Sequence, residues 1–296
     1  MIEVEGLTKR YGADNAIEDV SFSVAKGEVV GFLGPNGAGK TTTMRILTGS
    51  LGATAGVARI GGRDVSTHAA AVKRTVGYLP EVPPLYVTMT VRDYVAFAGR
   101  LKGVTDPAAV DRALARVGLA DVGHRIIDHL SKGYRQRVGL AQAIVHDPEV
   151  LILDEPASGL DPAQRVEIRA LLKELAAGDA TIILSTHVLA EVEALCDRVV
   201  IIARGRVVAT DTLDDLSGGR RQVAIEVQQV GPAMEALRAL PGVELVEHAG
   251  EGRLLLRCDA DLRAEVATAA APHGLLALGA RRGLEDIYLS LTQGNA

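Results

Sequence analysis

Glu28-Val29-Val30-Gly31-Phe32-Leu33-Gly34-Pro35-Asn36-Gly37-Ala38-Gly39-Lys40-Thr41-Thr42 passes from an apolar, β-rich run through a glycine-rich turn into a helical pattern that lasts to Thr48. Glu28 to Leu33 has the composition of a buried strand, and the residues after Gly39 have the spacing of a helix, so the stretch is a β–α unit. The same pairing recurs at Val150 to Leu153 with a helix from about Pro162, and at Thr181 to Leu184 with a helix through Val188, Val192 and Leu195. Strands that are apolar at every position, alternating with helices, predict an α/β fold around a mainly parallel sheet.

The turn joining the first pair, Gly34 to Thr41, fits G-x-x-x-x-G-K-[ST] and sits between strand and helix, where that pattern has mechanical meaning. Glycine is required because backbone N–H groups must point inward at phosphate oxygens with no side chain in the way, and the helix adds its positive end. Gly34, Pro35, Asn36, Gly37, Ala38, Gly39 and Lys40 are therefore candidate phosphate-binding residues, with Lys40 reaching the terminal phosphates. Thr41 offers a hydroxyl to Mg²⁺, a cation that prefers oxygen ligands, and Thr42 stands ready for a further phosphate contact.

Val150-Leu151-Ile152-Leu153-Asp154-Glu155-Pro156 ends an apolar strand in two carboxylates at the edge where α/β sheets place ligands. Alone this is compatible with a solvated strand terminus; downstream of a phosphate loop it predicts Asp154 as a metal-holding group. Glu155 is then the group that polarises the attacking water.

Between about Val82 and Arg137 strand signals fade and helical spacing appears in Val91, Tyr94, Val95 and Ala98, then in Val110, Leu114 and Val117. A helical insertion over about 82–137 is expected. The pattern breaks near Leu216-Ser217-Gly218-Gly219, which places a boundary between a domain at 1–215 and a small α+β domain at 222–296. The tail is expected to run strand (Val223 to Val227), helix (Ala233 to Leu240), strand (Val243 to Glu247), strand (Arg253 to Cys258), helix (Leu262 to Ala271), a short strand and a closing helix at Leu284 to Leu291.

A net charge of −5 gives no electrostatic reason to bind a phosphate polymer, so no nucleic-acid partner is expected. Cys196 and Cys258 lack metal-ligand spacing and read as buried thiols of a cytosolic protein. No apolar run approaches the ~20 residues that cross a bilayer, and no secretory start is visible. The chain is expected neither to cross nor to leave the membrane unaided.

Leu130-Ser131-Lys132-Gly133-Tyr134-Arg135-Gln136-Arg137, ahead of the acidic strand, resembles the L-S-G-G-Q signature of the ATP-binding cassette (ABC) ATPases, with Lys132 and Tyr134 substituted. Tyr11, Ser158 to Asp161 and Ser185 to His187 fall where that family places its other landmarks. The resemblance is strong over about residues 1–215. It implies a phosphate-loop ATPase core with an antiparallel β subdomain, ATP and Mg²⁺ as cofactors, Tyr11 stacked on adenine and Asp161 signalling across a dimer. It also implies that His187 contacts the γ-phosphate and steadies the attacking water. After Val76-Gly77-Tyr78-Leu79-Pro80, where most members carry glutamine, this chain has Glu81, either a metal contact or a structural hinge.

Tyr78 to Glu81, Lys132 to Arg137 and Leu284-Glu285-Asp286-Ile287-Tyr288 narrow the resemblance to bacterial exporter ATPases of the drug-resistance and gliding-motility type. In that branch a short C-terminal domain follows the cassette and separate membrane permease subunits carry the substrate. Ser131, Lys132, Gly133 and Tyr134 would face ATP held by a second ATPase subunit, making a homodimer the expected unit, at the cytoplasmic face of the membrane. The competing reading, a soluble cassette acting on a ribosome or nucleic acid, is disfavoured by the acidic balance and by a single cassette without coiled-coil insertion. A GTPase reading lacks the Asn-Lys-x-Asp motif.

Overall fold

The computed structural model describes residues 1–178, 180–212, 222–280 and 288, which fall into two compact units, Met1–Thr210 and Asp211–Ala296. The first opens with β1 (Ile2–Tyr11) and β2 (Asp14–Val24) and runs through β3 (Val29–Leu33) into α1 (Lys40–Leu47). It continues as β4 (Ala55–Ile60), β5 (Arg63–Asp64), α2 (Ala69–Thr75) and β6 (Val76–Leu79). Three helices come next, α3 (Val91–Leu101), α4 (Pro107–Arg116) and α5 (Lys132–Ile144). Then come β7 (Val150–Asp154), α6 (Pro162–Ala177), β8 (Thr181–Thr186), α7 (Leu189–Leu195), β9 (Arg198–Ala203) and β10 (Arg206–Thr212).

Two sheets organise this unit. One is antiparallel, in the order β2-β1-β4-β5, and the other runs β10-β9-β3-β8-β7-β6 with parallel pairing from β9 through β6. Every residue of β3, β7 and β8 is buried, as continuous apolar runs covered on both faces require. Val30, Phe32, Ile152 and Ile183 from the parallel sheet share one core with Ile2, Leu7, Ile17 and Phe22 from the antiparallel sheet and with Met44 and Leu47 of α1. This core fixes the C-terminal ends of β3, β7 and β8 side by side.

The helices between β6 and β7 start where their sequence dictates. Thr90 accepts from the Asp93 N–H at the head of α3, Asp106 accepts from the Ala108 N–H ahead of Pro107 in α4, and Ser131 caps α5. The helical run ends beyond the expected Arg137: α5 continues to Ile144 because Val138, Leu140, Ala141, Ala143 and Ile144 are buried. There Gly139 approaches β6 closely, since a Cβ at that position would lie 2.8 Å from Leu79 Cδ1.

In the second unit β11 (Gln222–Val227), α8 (Val230–Arg238), β12 (Val243–His248), β13 (Arg253–Cys258), α9 (Arg263–Ala270) and β14 (Leu275–Ala280) succeed one another in order. The strands form an antiparallel sheet, β12-β13-β11-β14, with Val223, Ile225, Val227, Leu254 and Leu256 alternating into a core closed by Ala233, Leu237 and Val266. The helix expected at 284–291 lies, save for Tyr288, outside the described residues. Among the described residues no helix is long and apolar enough to cross a membrane. Cys196 and Cys258 are buried free thiols, and burial pushes the Cys196 thiol up to about 12.

Candidate functional site

At the C-terminal ends of β3, β7 and β8 the chain encloses a cavity of about 320 Å³ lined by Ala16, Asn36, Gly37, Gly39, Lys40, Thr41, Thr42, Glu81, Glu155, Ser158 and His187. Most of the residues singled out for phosphate, metal and water thus share one wall or another of the same space. Ala16 and Ser158 join them; Ala16 carries no chemistry-bearing atom and could be found only from the fold.

The glycine turn is shaped by close approach. Gly39 has φ +104°, and a Cβ there would meet Ile17 Cγ2 at 2.4 Å; a Cβ at Gly34 would meet the Ile202 carbonyl oxygen at 2.3 Å. Only glycine fits either position, so the turn is held between β2 and β9 with its backbone free to face the cavity. Lys40, nearly buried, donates from Nζ to the carbonyl oxygens of Gly34 at 2.7 Å and Pro35 at 3.3 Å, and lies 3.7 Å from Glu155 Oε1. The ammonium is thereby pre-positioned at the mouth of the turn rather than free to search for its ligand.

Glu155 has φ +50°, the left-handed region that costs a non-glycine residue about 1–3 kcal/mol. It is retained by its N–H donating across the sheet to Ser185 O at 2.8 Å and its carbonyl accepting from the Ser158 N–H at 3.0 Å. The twist turns its carboxylate into the cavity, where both oxygens lie 2.9 Å from His187 Nδ1. With Glu155 ionised, Nδ1 carries the shared proton. Carboxylate and imidazole therefore form one unit, with Lys40 on the other side.

Asp154, one residue earlier, is fully buried, and neither carboxylate oxygen has a hydrogen-bond partner among the described residues. A buried carboxylate without a partner costs several kcal/mol, so the site is built for a cation brought by a ligand. Thr41 and Glu81 line the cavity with hard oxygen donors, and Asp154, at the end of β7, lies buried behind its wall; a donor set of oxygens suits Mg²⁺ and not a soft metal. Among the described residues no three His, Cys, Asp or Glu side chains are grouped so as to hold a metal ion by themselves.

Other candidates lie apart. Tyr11, at the end of β1, is half exposed, carries the Lys9 ammonium 5.3 Å from its ring centroid and does not line the cavity. Ser131, Lys132, Gly133 and Tyr134 do not line it either. Ser131 accepts from the Tyr134 N–H, opening α5, while Gly133 is pressed against Gln164, whose Oε1 a Cβ would meet at 2.4 Å. Lys132 lies over Gly159, and Asp161 caps α6 through the Gln164 N–H at 2.8 Å. The signature segment and the Ser158 to Asp161 turn are therefore packed on one another within the chain.

Comparison with known proteins fits this geometry. The family described as ABC transporter matches residues 17–158. The chain is 37% identical to the Nod factor export ATP-binding protein I of Ralstonia nicotianae (strain ATCC BAA-1114 / GMI1000), over 99% of this chain and 94% of that protein. It is 34% identical to the linearmycin resistance ATP-binding protein LnrL of Bacillus subtilis (strain 168), over 99% of this chain and 98% of that one. A solved structure of an ATP binding subunit of an ABC transporter superimposes with a TM-score of 0.69 at 36% identity, covering 74% of this chain and 92% of the other. The chain belongs to the ABC transporter family, as an ATP-binding subunit built on that family's ATPase cassette.

Proposed function

We propose that this chain powers export of a substrate through a separate membrane permease, working as a dimer at the cytoplasmic face of the membrane. The observation that carries the reading is the division of the site. Lys40, Glu155 and His187 converge on the phosphate turn, whereas Ser131 to Tyr134 stand outside the same cavity. One chain supplies everything needed to hold ATP and activate water, and a second chain supplies the signature that closes over the γ-phosphate.

In this reading the N–H groups of Gly37 to Thr42 and the Lys40 ammonium bind the phosphates, and exposed Tyr11 stacks on the base. Thr41 and Asp154 would hold Mg²⁺, with Glu81 as a further oxygen donor. When bound, the ion offsets negative charge on the phosphate oxygens. Glu155 accepts the proton of the attacking water and His187 holds that carboxylate in place, so that catalysis rests on positioning and charge. Asp161, at the head of α6, links the signature of its own chain to the neighbouring site. The export names carried by the similar proteins support the direction of transport.

A groove of about 580 Å³ between α3 and the parallel sheet, lined by Tyr78, Pro80, Pro84, Ala98 and Leu101, is suited to receive the permease. Leu101, which lines the groove, is an exposed apolar side chain, as are Val82 and Tyr86 in the segment between β6 and α3. Capturing the Glu155→Gln chain from its native membranes with ATP should bring down a multi-span integral membrane protein in stoichiometric amount. Recovery of ribosomes or nucleic acid in its place would sink the export reading and favour a soluble cassette.

A further inference from the structure

His187 emerges from the end of β8 into a turn held by side chains just before it and one turn further on. Val188, the residue heading α7, offers no capping side chain. Thr186 takes that part instead: its hydroxyl, fully buried, accepts from the Val188 N–H at 3.1 Å and donates to Glu191 Oε2 at 2.9 Å. Glu191 is itself nearly buried and donates its N–H to Val188 O at 3.0 Å. A hydroxyl has a single proton, so accepting from Val188 in a fixed direction depends on that proton being drawn elsewhere. The Glu191 carboxylate draws it.

We infer that Glu191, acting through Thr186, is a positioning residue for His187 in ATP hydrolysis. The chain of contacts runs from Glu191 to the Thr186 hydroxyl, from that hydroxyl to the Val188 N–H, and across the turn to His187, whose Nδ1 sits 2.9 Å from both Glu155 oxygens. Rotation of the turn by a small angle would separate imidazole from carboxylate, since a hydrogen bond weakens steeply with distance and angle. Beside the direct contact of His187 with Glu155, these side-chain hydrogen bonds hold the turn at residue 187.

The surroundings explain why a carboxylate is kept here. Burial raises the Glu191 carboxyl above its ordinary range and the Glu155 charge adds to this, while the Thr186 hydrogen bond and the Arg165 and Arg169 guanidinium groups of α6 oppose it. Pro156, Ala157, Leu172, Leu184 and Leu195 complete an apolar enclosure around it. An acidic group in such a place is expensive unless its hydrogen bond has a purpose.

The inference rests on His187 acting at the site, and two sets of variants separate the two claims. In steady-state ATPase assays His187→Ala should lower kcat about a hundredfold. Thr186→Val, nearly isosteric, and Glu191→Leu should each lower kcat about tenfold with KM for ATP changed less than about twofold, while Thr186→Ser and Glu191→Gln, which keep the acceptor chain, stay within about threefold of wild type. Added to His187→Ala, Thr186→Val should have no further effect, because the group it positions is gone. An unchanged kcat in Thr186→Val, or a further tenfold fall in the His187→Ala background, would overturn the positioning role. An unchanged kcat in His187→Ala would overturn the site reading itself. If Glu191→Leu does not fold, Thr186→Val decides alone.

Discussion

Exchanging Glu155 for glutamine is expected to lower the rate of ATP hydrolysis by about two to three orders of magnitude while ATP binds with near wild-type affinity. The amide is the same size and can still meet His187 Nδ1, so the wall of the cavity and the strained backbone at Glu155 are preserved. It lacks the negative charge and basicity that would draw a proton from water. Because Glu155 also lies 3.7 Å from the Lys40 ammonium, its neutralisation leaves that cation free to bind phosphate at least as well as before. Single-turnover assays together with equilibrium binding of a fluorescent ATP analogue check both halves. A variant that hydrolyses at the wild-type rate removes Glu155 from the chemistry.

Lys40→Ala is expected to act on binding instead. Among the described residues that line the cavity, Lys40 is the sole cation when His187 is neutral, and charge-assisted hydrogen bonds to phosphate are worth about 2–3 kcal/mol, so affinity should fall roughly 30- to 150-fold. The loss is deepened by two effects inside the protein. Gly34 and Pro35 lose the donor that ties the turn down, and Glu155 is left buried without its ion pair. Calorimetric titration with ATP reads the change, and an undiminished affinity would remove Lys40 from the phosphate cradle. The two substitutions therefore separate holding ATP from cleaving it.

How much of this was written in the sequence depends on how directly each residue's environment follows from its neighbours. β3, β7 and β8 were legible because strands covered on both faces leave no polar alternation to interpret. The antiparallel sheet was harder: pairing between β1 and β2 shifts register between Val4 and Leu7 and again between Leu7 and Lys9, which breaks the period of two. The end of the helical stretch was misplaced since α5 keeps its apolar stripe beyond Arg137.

At the site, motif spacing singled out Lys40 and Glu155, and the family resemblance His187, but neither said how they meet. The left-handed backbone at Glu155 depends on the Ser185 carbonyl, which belongs to the next strand of the sheet. Glu191 belongs to no motif in the sequence, and its burial and its contact with Thr186 emerge only from the fold. Conversely, Ser131 and Asp161 were singled out for contacts across a dimer, and the fold gives each a second task within the chain as a helix cap.

Sedimentation velocity of the Glu155→Gln chain with Mg²⁺ and either ATP or ADP tests the divided site most directly. ATP, and not ADP, should shift the chain toward a species of twice the mass, and Ser131→Arg in the same background should abolish that shift while ATP still binds. A chain whose mass is the same with ATP and ADP, or a shift that survives Ser131→Arg, would contradict the claim that each site is completed by the signature of a second chain.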